Sequence, residues 1–300
     1  MHITILPASP KTAQATIRAL LAAGPAVTGI RGIYRDPSRA PAEFTSDPRF
    51  EAARGDLGDP ASYAAHLEGT DAVFHVQPPL FDPEVCLVEY TRKVAGGVRD
   101  AVQKAGVRRL VVVGSMGAQY ERGTGEIISN HVAEGILKDA APEVVVVRCG
   151  YFVENWAAAL QTITEGFFFT TFTPTGLKLP HIAIKDIGQT CADELLATGK
   201  GLKASPYIFD LQGPRKLSSE DVHKAWEEAA GKKLEMKVIP REGLAEFWGA
   251  VFPPEVAKSY VEMNEALLPG GIIVEDPNPT GETRYGKTEA VEVFRELLGA

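Results

Sequence analysis

Apolar residues along this chain follow two rhythms. HITIL (2–6), AVTGIRGIYR (26–35), DAVFHVQ (71–77), RRLVVVGS (108–115) and EVVVVRCG (143–150) are nearly continuous runs of β-branched and aliphatic side chains. A strand with one wet face alternates polar and apolar residues, so unbroken runs predict strands covered on both faces. KTAQATIRALLAAG (11–24) and VCLVEYTRKVAGGVRDAVQKAG (85–106) instead repeat their apolar positions at helical spacing and predict amphipathic helices. RFEAARGDLGD (49–59) predicts one more short strand, and PASYAAHLEG (60–69) a helix after it.

Buried strands alternating with helices imply a parallel sheet with right-handed crossovers. The expected fold is α/β, a Rossmann-type doubly wound parallel sheet over residues 1–150. After residue 150 the pattern loosens. FFFTTFTPTGLKLPHIAI (167–184) reads as a loop or edge segment, and DIGQTCADELLATG (186–199) as a helix. PYIFDLQGP (206–214) and LEMKVIP (234–240) read as strands around SSEDVHKAWEEAAG (218–231), a helix with serine at its cap. EGLAEFWGAVF (242–252) and PPEVAKSYVEMNEALLPGG (253–271) are the last predicted helices. Residues 151–300 are therefore expected to form mainly a smaller α+β substrate-binding subdomain, with some segments returning to the core.

Composition narrows the partners. With 45% hydrophobic and 23% charged residues the chain is ordinary for a soluble globular protein. A formal net charge of −8 and no basic stripe argue against nucleic acid. Cys86, Cys149 and Cys191 are too few and too scattered for a disulfide framework or a Cys-x-x-Cys metal site, and they favour a reducing, cytoplasmic setting. The chain opens on a strand rather than a signal peptide, and EGFFFTTFTPTG (165–176) is too short and broken to span a bilayer. An apolar small molecule is the expected partner, without membrane or metal.

The turn between the first strand and helix is PASPKTA (7–13). A dinucleotide-binding turn usually carries glycines there, because glycine allows a tight bend and close approach of backbone N–H groups to pyrophosphate. Proline fixes φ and removes its own donor. Pro10 in the middle position puts a ring where phosphate should approach. Ala13 is milder.

Several segments taken in order resemble the NmrA-like family, atypical members of the short-chain dehydrogenase/reductase superfamily. RDP (35–37), GDLGDP (55–60) and DAVFHVQPP (71–79) are similar to segments around that family's cofactor. VVVGSMGA (111–118), GTGEIISNHVAEGIL (123–137) and VRCGYFVENW (147–156) resemble its active-site strand, helix and following loop. KDIG (185–188) and LQGP (211–214) resemble its later signatures. The resemblance covers nearly the whole chain and implies an NAD(P)-binding fold, often with NADP preference, used catalytically or as a sensor. The chain departs from the family at the glycine turn and at Cys149, where proline usually follows the arginine. It also lacks the Tyr-x-x-x-Lys pair of ordinary short-chain dehydrogenases.

With the phosphate turn altered, the expectation is an enzyme that requires no cofactor and performs non-redox acid/base chemistry. Cyclisation, isomerisation or dehydration of an apolar oxygenated molecule, in secondary metabolism, needs only a shaped pocket and a proton carrier. His131 would shuttle the proton and Glu134, three residues on, would orient it, although Ser129 with Glu134 five positions later equally suits helix capping. Tyr120 or Asn130 would polarise oxygen, and Ser115 stands at the strand end where short-chain dehydrogenases place a serine. Met116, Gln77, Tyr151, Phe152, Asn155, Trp156 and His181 are the expected substrate contacts, with core packing as the ordinary alternative for the aromatics. The alternative is an NAD(P)H-dependent reductase of a quinone, enone or imine. NADP(H) would then be held by Lys11, Thr12, Arg35 and Asp56, with Arg35 at the 2′-phosphate and Asp56 near adenine. A non-catalytic NAD(P)-sensing regulator is the third reading.

Overall fold

The computed structural model describes residues 1–276 and 280–299. Its first half lays down His2–Leu6 (β1), Gly29–Tyr34 (β2), Phe50–Arg54 (β3), Ala72–Val76 (β4), Arg109–Ser115 (β5) and Glu143–Cys149 (β6). Between them run Lys11–Ala22 (α1), Ala42–Thr45 (α2), Leu87–Lys104 (α3) and Ile128–Leu137 (α4). The second half adds strands Tyr151–Phe152 (β7), Phe167–Thr170 (β8), His181–Ile182 (β9), Tyr207–Gln212 (β10), Glu235–Val238 (β11) and Thr283–Tyr285 (β12). Its helices are Leu160–Glu165 (α5), Ile184–Leu196 (α6), Ser219–Ala230 (α7), Leu244–Gly249 (α8), Pro254–Ala266 (α9), Ile272–Glu275 (α10) and Ala290–Leu298 (α11).

Eight strands form one sheet in the order β12-β10-β6-β5-β4-β1-β2-β3, every pairing parallel. The chain winds one way from β1 through β2 to β3, and the other way from β4 outward. The order reverses between β1 and β4, and ligands of such sheets bind in the crevice at that point. The valine runs show why the sheet is buried on both sides. Val111, Val113, Val145 and Val147 enter one core while Leu110, Val112, Val144 and Val146 enter the other. Alternate residues of a strand point to opposite faces, so each run feeds both layers.

Close approach fixes α1 against α6. A side chain at Gly188 would collide with the carbonyl of Ala15, which gives the KDIG segment its physical role. The serine-capped helix forms as expected: Ser218 and Asp221 complete a capping box at the start of α7. A third core beneath the C-terminal lobe gathers Trp156, Phe168, Phe172, Trp226 and Phe294, with the Trp226 and Phe294 rings stacked 3.9 Å apart.

One expectation changes. PASYAAHLEG forms two 3-10 turns, Pro60–Ser62 and Ala64–Leu67, because Tyr63 between them leaves the helical region at φ −127°. The phenylalanine segment opens as an edge strand, with β8 lying parallel to β11 in a two-stranded sheet, and continues as irregular chain. No helix among the described residues is long and apolar enough to cross a membrane.

Candidate active site

A cleft of about 600 Å³ opens at the C-terminal ends of β4, β5 and β6, beside the start of α1. Its volume suits a small-molecule site. Gln77 after β4, Ser115 and Met116 at the end of β5, and Cys149 and Gly150 at the end of β6 form the floor. Tyr151 and Phe152 make one apolar wall. Met263 and Leu267 of α9, with Ile273 and Val274 of α10, make the other.

The α1 end is rich in unused donors. Pro10 is the N-cap, in extended conformation and with no side-chain cap. The first helical N–H groups have no partner four residues back, and Gln14 N–H is the first to reach one, the Pro10 carbonyl at 2.9 Å. Thr12 lines the cleft, and its Oγ1 is sealed from water with no hydrogen-bond partner. A buried polar atom without a partner is costly, so Thr12 Oγ1 points to a ligand that completes it. Across the cleft, Gln77 is 9% exposed, and its amide interacts with the buried imidazole of His75. Lys11 also lines this end, beside Glu154. Burial pushes the Glu154 carboxyl above its usual range, opposed by the Ile184 N–H, which donates to its two oxygens at 2.9 and 3.0 Å.

The turn itself is anchored to the sheet: Ala8 N–H donates to the Ile33 carbonyl at 2.9 Å. Pro10 supplies no N–H, so the donors begin at Lys11. These residues fit the pyrophosphate and carboxamide of a dinucleotide, with fewer backbone donors than a glycine turn offers. Arg35 and Asp56 lie outside the cleft, exposed at the ends of β2 and β3, and both act electrostatically on Tyr90. Arg35 has no ion pair or hydrogen bond among the described residues. Asp56 closes its own turn, accepting from Gly58 N–H at 2.8 Å while its N–H donates to Ser62 Oγ at 2.8 Å.

The structure divides the residues expected for chemistry. Lys11, Thr12, Gln77, Ser115, Met116, Asn130, Tyr151, Phe152 and Asn155 all line the cleft. Ser115 Oγ donates to the Met116 carbonyl at 3.0 Å. His131, Glu134, Tyr120, Trp156 and His181 do not line it. His131 Nδ1 lies 2.9 Å from the Ala118 carbonyl. Glu134 is near enough to feel His131 but pairs with Arg148, with Oε2 to Nη2 at 2.7 Å in a buried pair. It therefore has no free carboxylate for the expected acid/base couple. Tyr120 packs with Ile127, Ala266 and Ile273 under the outer wall.

Trp156 and His181 stand behind Tyr151, with their rings stacked 6.4 Å apart. Burial lowers the His181 pKa to about 4, and that of His75 equally to about 4, so both are neutral at physiological pH. Burial raises the Tyr151 phenol well above its normal value, so it keeps its proton.

Sequence reasoning missed Lys178, Lys216 and the α9–α10 wall. Met263 and Leu267 are four apart on a predicted helix, a visible signal of one apolar face. No spacing in the sequence brings residue 178 to residue 216.

A family model described as NAD(P)H-binding matches residues 8–196. An NAD(P)H azoreductase from Xenophilus azovorans is 26% identical over 261 residues, covering 83% of this chain and 84% of that protein. Among solved structures, a Citrobacter sp. triphenylmethane reductase superposes with TM-score 0.76 at 15% identity over 100% of this chain and 99% of its own. An NADPH-dependent quinone oxidoreductase from Escherichia coli superposes with TM-score 0.71 at 18% identity over 99% and 100%. At such identities the structural likenesses speak for the fold alone.

These findings correct three expectations. A cofactor-free enzyme conflicts with the NAD(P)H-binding match, and the non-redox cyclase, isomerase or dehydratase conflicts with the azoreductase relative. Nothing found supports a role in secondary metabolism. The physical reason is that Pro10 leaves the N-terminus of α1 presented to the cleft.

Proposed function

The chain belongs to the NAD(P)H-binding family, and from that membership we propose that it is an NAD(P)H-dependent reductase of flat, conjugated acceptors such as quinones or azo compounds. The observation that carries this reading is the division of one cleft. Uncapped N–H groups and Thr12 of α1, with Gln77 across from them, make its polar part, and aromatic and aliphatic side chains make its walls.

Lys11 and the first N–H groups of α1 would hold pyrophosphate, where the helix dipole also favours negative charge. The turn acts as a glycine turn whose glycines have been replaced, and Pro10 limits its donors. Arg35 would meet a 2′-phosphate and Asp56 would lie near adenine. Gln77 would orient the carboxamide end. The bound nicotinamide supplies two electrons as hydride, and reduction is completed by one proton.

Tyr151 and Phe152 would hold the acceptor's plane, with Met263 and Ile273 excluding water from the opposite side. The Tyr151 hydroxyl would donate a hydrogen bond to the acceptor, and Asn155 and Asn130 would fix its orientation. Ser115 stands at the strand end, within the same cleft.

Calorimetric titration of the purified protein with NADPH and NADH tests the proposal, followed by NADPH oxidation assays with a naphthoquinone and an azo dye. Micromolar binding and acceptor-dependent oxidation are expected. No binding up to millimolar dinucleotide would overturn it.

A further inference from the structure

The cleft is lined by two lysines, Lys178 and Lys216, that make no ion pair among the described residues. Leu179 and Leu217 face each other in an antiparallel bridge, Leu179 N–H donating at 2.9 Å and Leu217 N–H at 3.0 Å to the opposite carbonyls. Both leucines turn into the C-terminal core. Side chains alternate along extended backbone, so the flanking Lys178 and Lys216 leave from the opposite side of the bridge. Both are exposed, and both line the cleft.

Neither lysine makes an ion pair or hydrogen bond among the described residues. The acids at the start of α7 are engaged elsewhere. Asp221, whose carboxyl feels Lys178, accepts from the Ser218 N–H and hydroxyl and pairs with Arg215 at 3.5 Å. Glu220 accepts from the Thr175 hydroxyl at 2.8 Å. Glu154, the acid that lines the cleft itself, is held by Ile184 N–H. In a chain of net charge −8, Lys178 and Lys216 thus bring two positive charges without ion-pair partners among the described residues to one apolar-walled cleft.

We propose that Lys178 and Lys216 form an anion clamp, so that the acceptor reduced here is an aromatic compound bearing a carboxylate or sulfonate. This rests on the reductase reading for the word acceptor, but not for the binding itself. The apolar walls would take the ring system while its anionic substituent stays at the wet mouth between the two ammonium groups. Charge at a cleft mouth also raises the encounter rate with an anionic ligand.

The test compares equilibrium binding of anthraquinone-2-sulfonate with that of its uncharged sulfonamide by calorimetry. The wild type is expected to prefer the sulfonate by about tenfold, the size of one charge-assisted hydrogen bond. Lys178→Gln/Lys216→Gln should abolish the preference, and Lys178→Arg/Lys216→Arg should keep it. Circular dichroism melting of each variant confirms folding.

Equal affinity for the two probes, no binding of the sulfonate, or a preference that survives the glutamine pair would overturn the clamp. A glutamine pair that weakens NADPH while leaving the sulfonate preference intact would also overturn it, because the lysines would then serve the dinucleotide's phosphates. A protein that shows the lysine-dependent preference yet oxidises no NADPH would keep the clamp and sink the reductase.

Discussion

The guanidinium of Arg148 on β6 closes over the carboxylate of Glu134 on α4 at 2.7 Å, and both groups are about nine-tenths buried. The pair sits directly behind the cleft floor: a side chain at Gly114, on the adjoining strand β5, would run into Glu134 Oε1. Burial pushes the Glu134 carboxyl up, and Arg148 pulls against it. Glu134 thus holds α4 against the sheet.

Removing one partner should strand the other as an uncompensated buried charge. Arg148→Met is expected to lower the stability by about 3–5 kcal/mol, as breaking buried pairs does. Urea unfolding of the variant and the wild type measures it. A loss below about 1 kcal/mol would mean that water reaches Glu134 and that the pair is not sealed.

Gln77 makes a different prediction. Its amide is buried against the His75 imidazole, so Gln77→Leu trades a buried polar contact for an apolar side chain and should leave the melting temperature nearly level. The same change should weaken NADPH binding by about tenfold, since the leucine cannot complete the ligand's carboxamide. Calorimetry and thermal melting together check this. Unchanged NADPH affinity would remove Gln77 from the cofactor site.

Pro10→Gly restores an N–H and removes a ring at the head of α1. NADPH affinity should rise by about tenfold, one charge-assisted hydrogen bond. The gain should shrink in high salt if it is made to phosphate. An affinity that stays level or falls would show that Pro10 is preorganising the turn rather than limiting it.

How much of this was legible depends on the range of the interactions. The sheet could be read because each strand announces itself locally: the valines of β5 and β6 fill two cores only if both faces are covered. Gln77, Tyr151 and Phe152 line the cleft because strand ends at a switch point converge on one crevice, and Asn130 reaches it from α4. The pairing of Glu134 with Arg148 was not legible, because a shared helix face says nothing about a third residue on another element. The lysine pair was illegible for the same reason: only the Leu179–Leu217 bridge brings residues 178 and 216 together. Pro10 misled in another way. A lost donor and an added ring are legible in the sequence, but only the structure shows that the N–H groups after Pro10 face the cleft.

Glu126 gives the pH prediction. It lies in the 3-10 turn Gly125–Ile127, between the loop after β4 and α9. Burial raises its pKa from 4.5 to about 7, with Leu80 N–H pulling the other way. Its charge in turn contributes to holding the Tyr260 phenol up at about 12, behind the larger effect of burial. Between pH 4.5 and about 7 the folded protein keeps a proton that the unfolded chain has released. Stability from this group is therefore complete below the lower value and is lost as pH rises through the upper one. The loss is at most about 3 kcal/mol, from about 1.4 kcal/mol for each pKa unit. Glu134, Glu154 and Asp210 are also raised, so the absolute slope is shared, and only the difference between wild type and Glu126→Gln isolates this group. Urea midpoints at pH 5 and pH 8 should fall less in Glu126→Gln than in the wild type. Equal falls would mean that Glu126 ionises freely in solvent at the edge of the cleft.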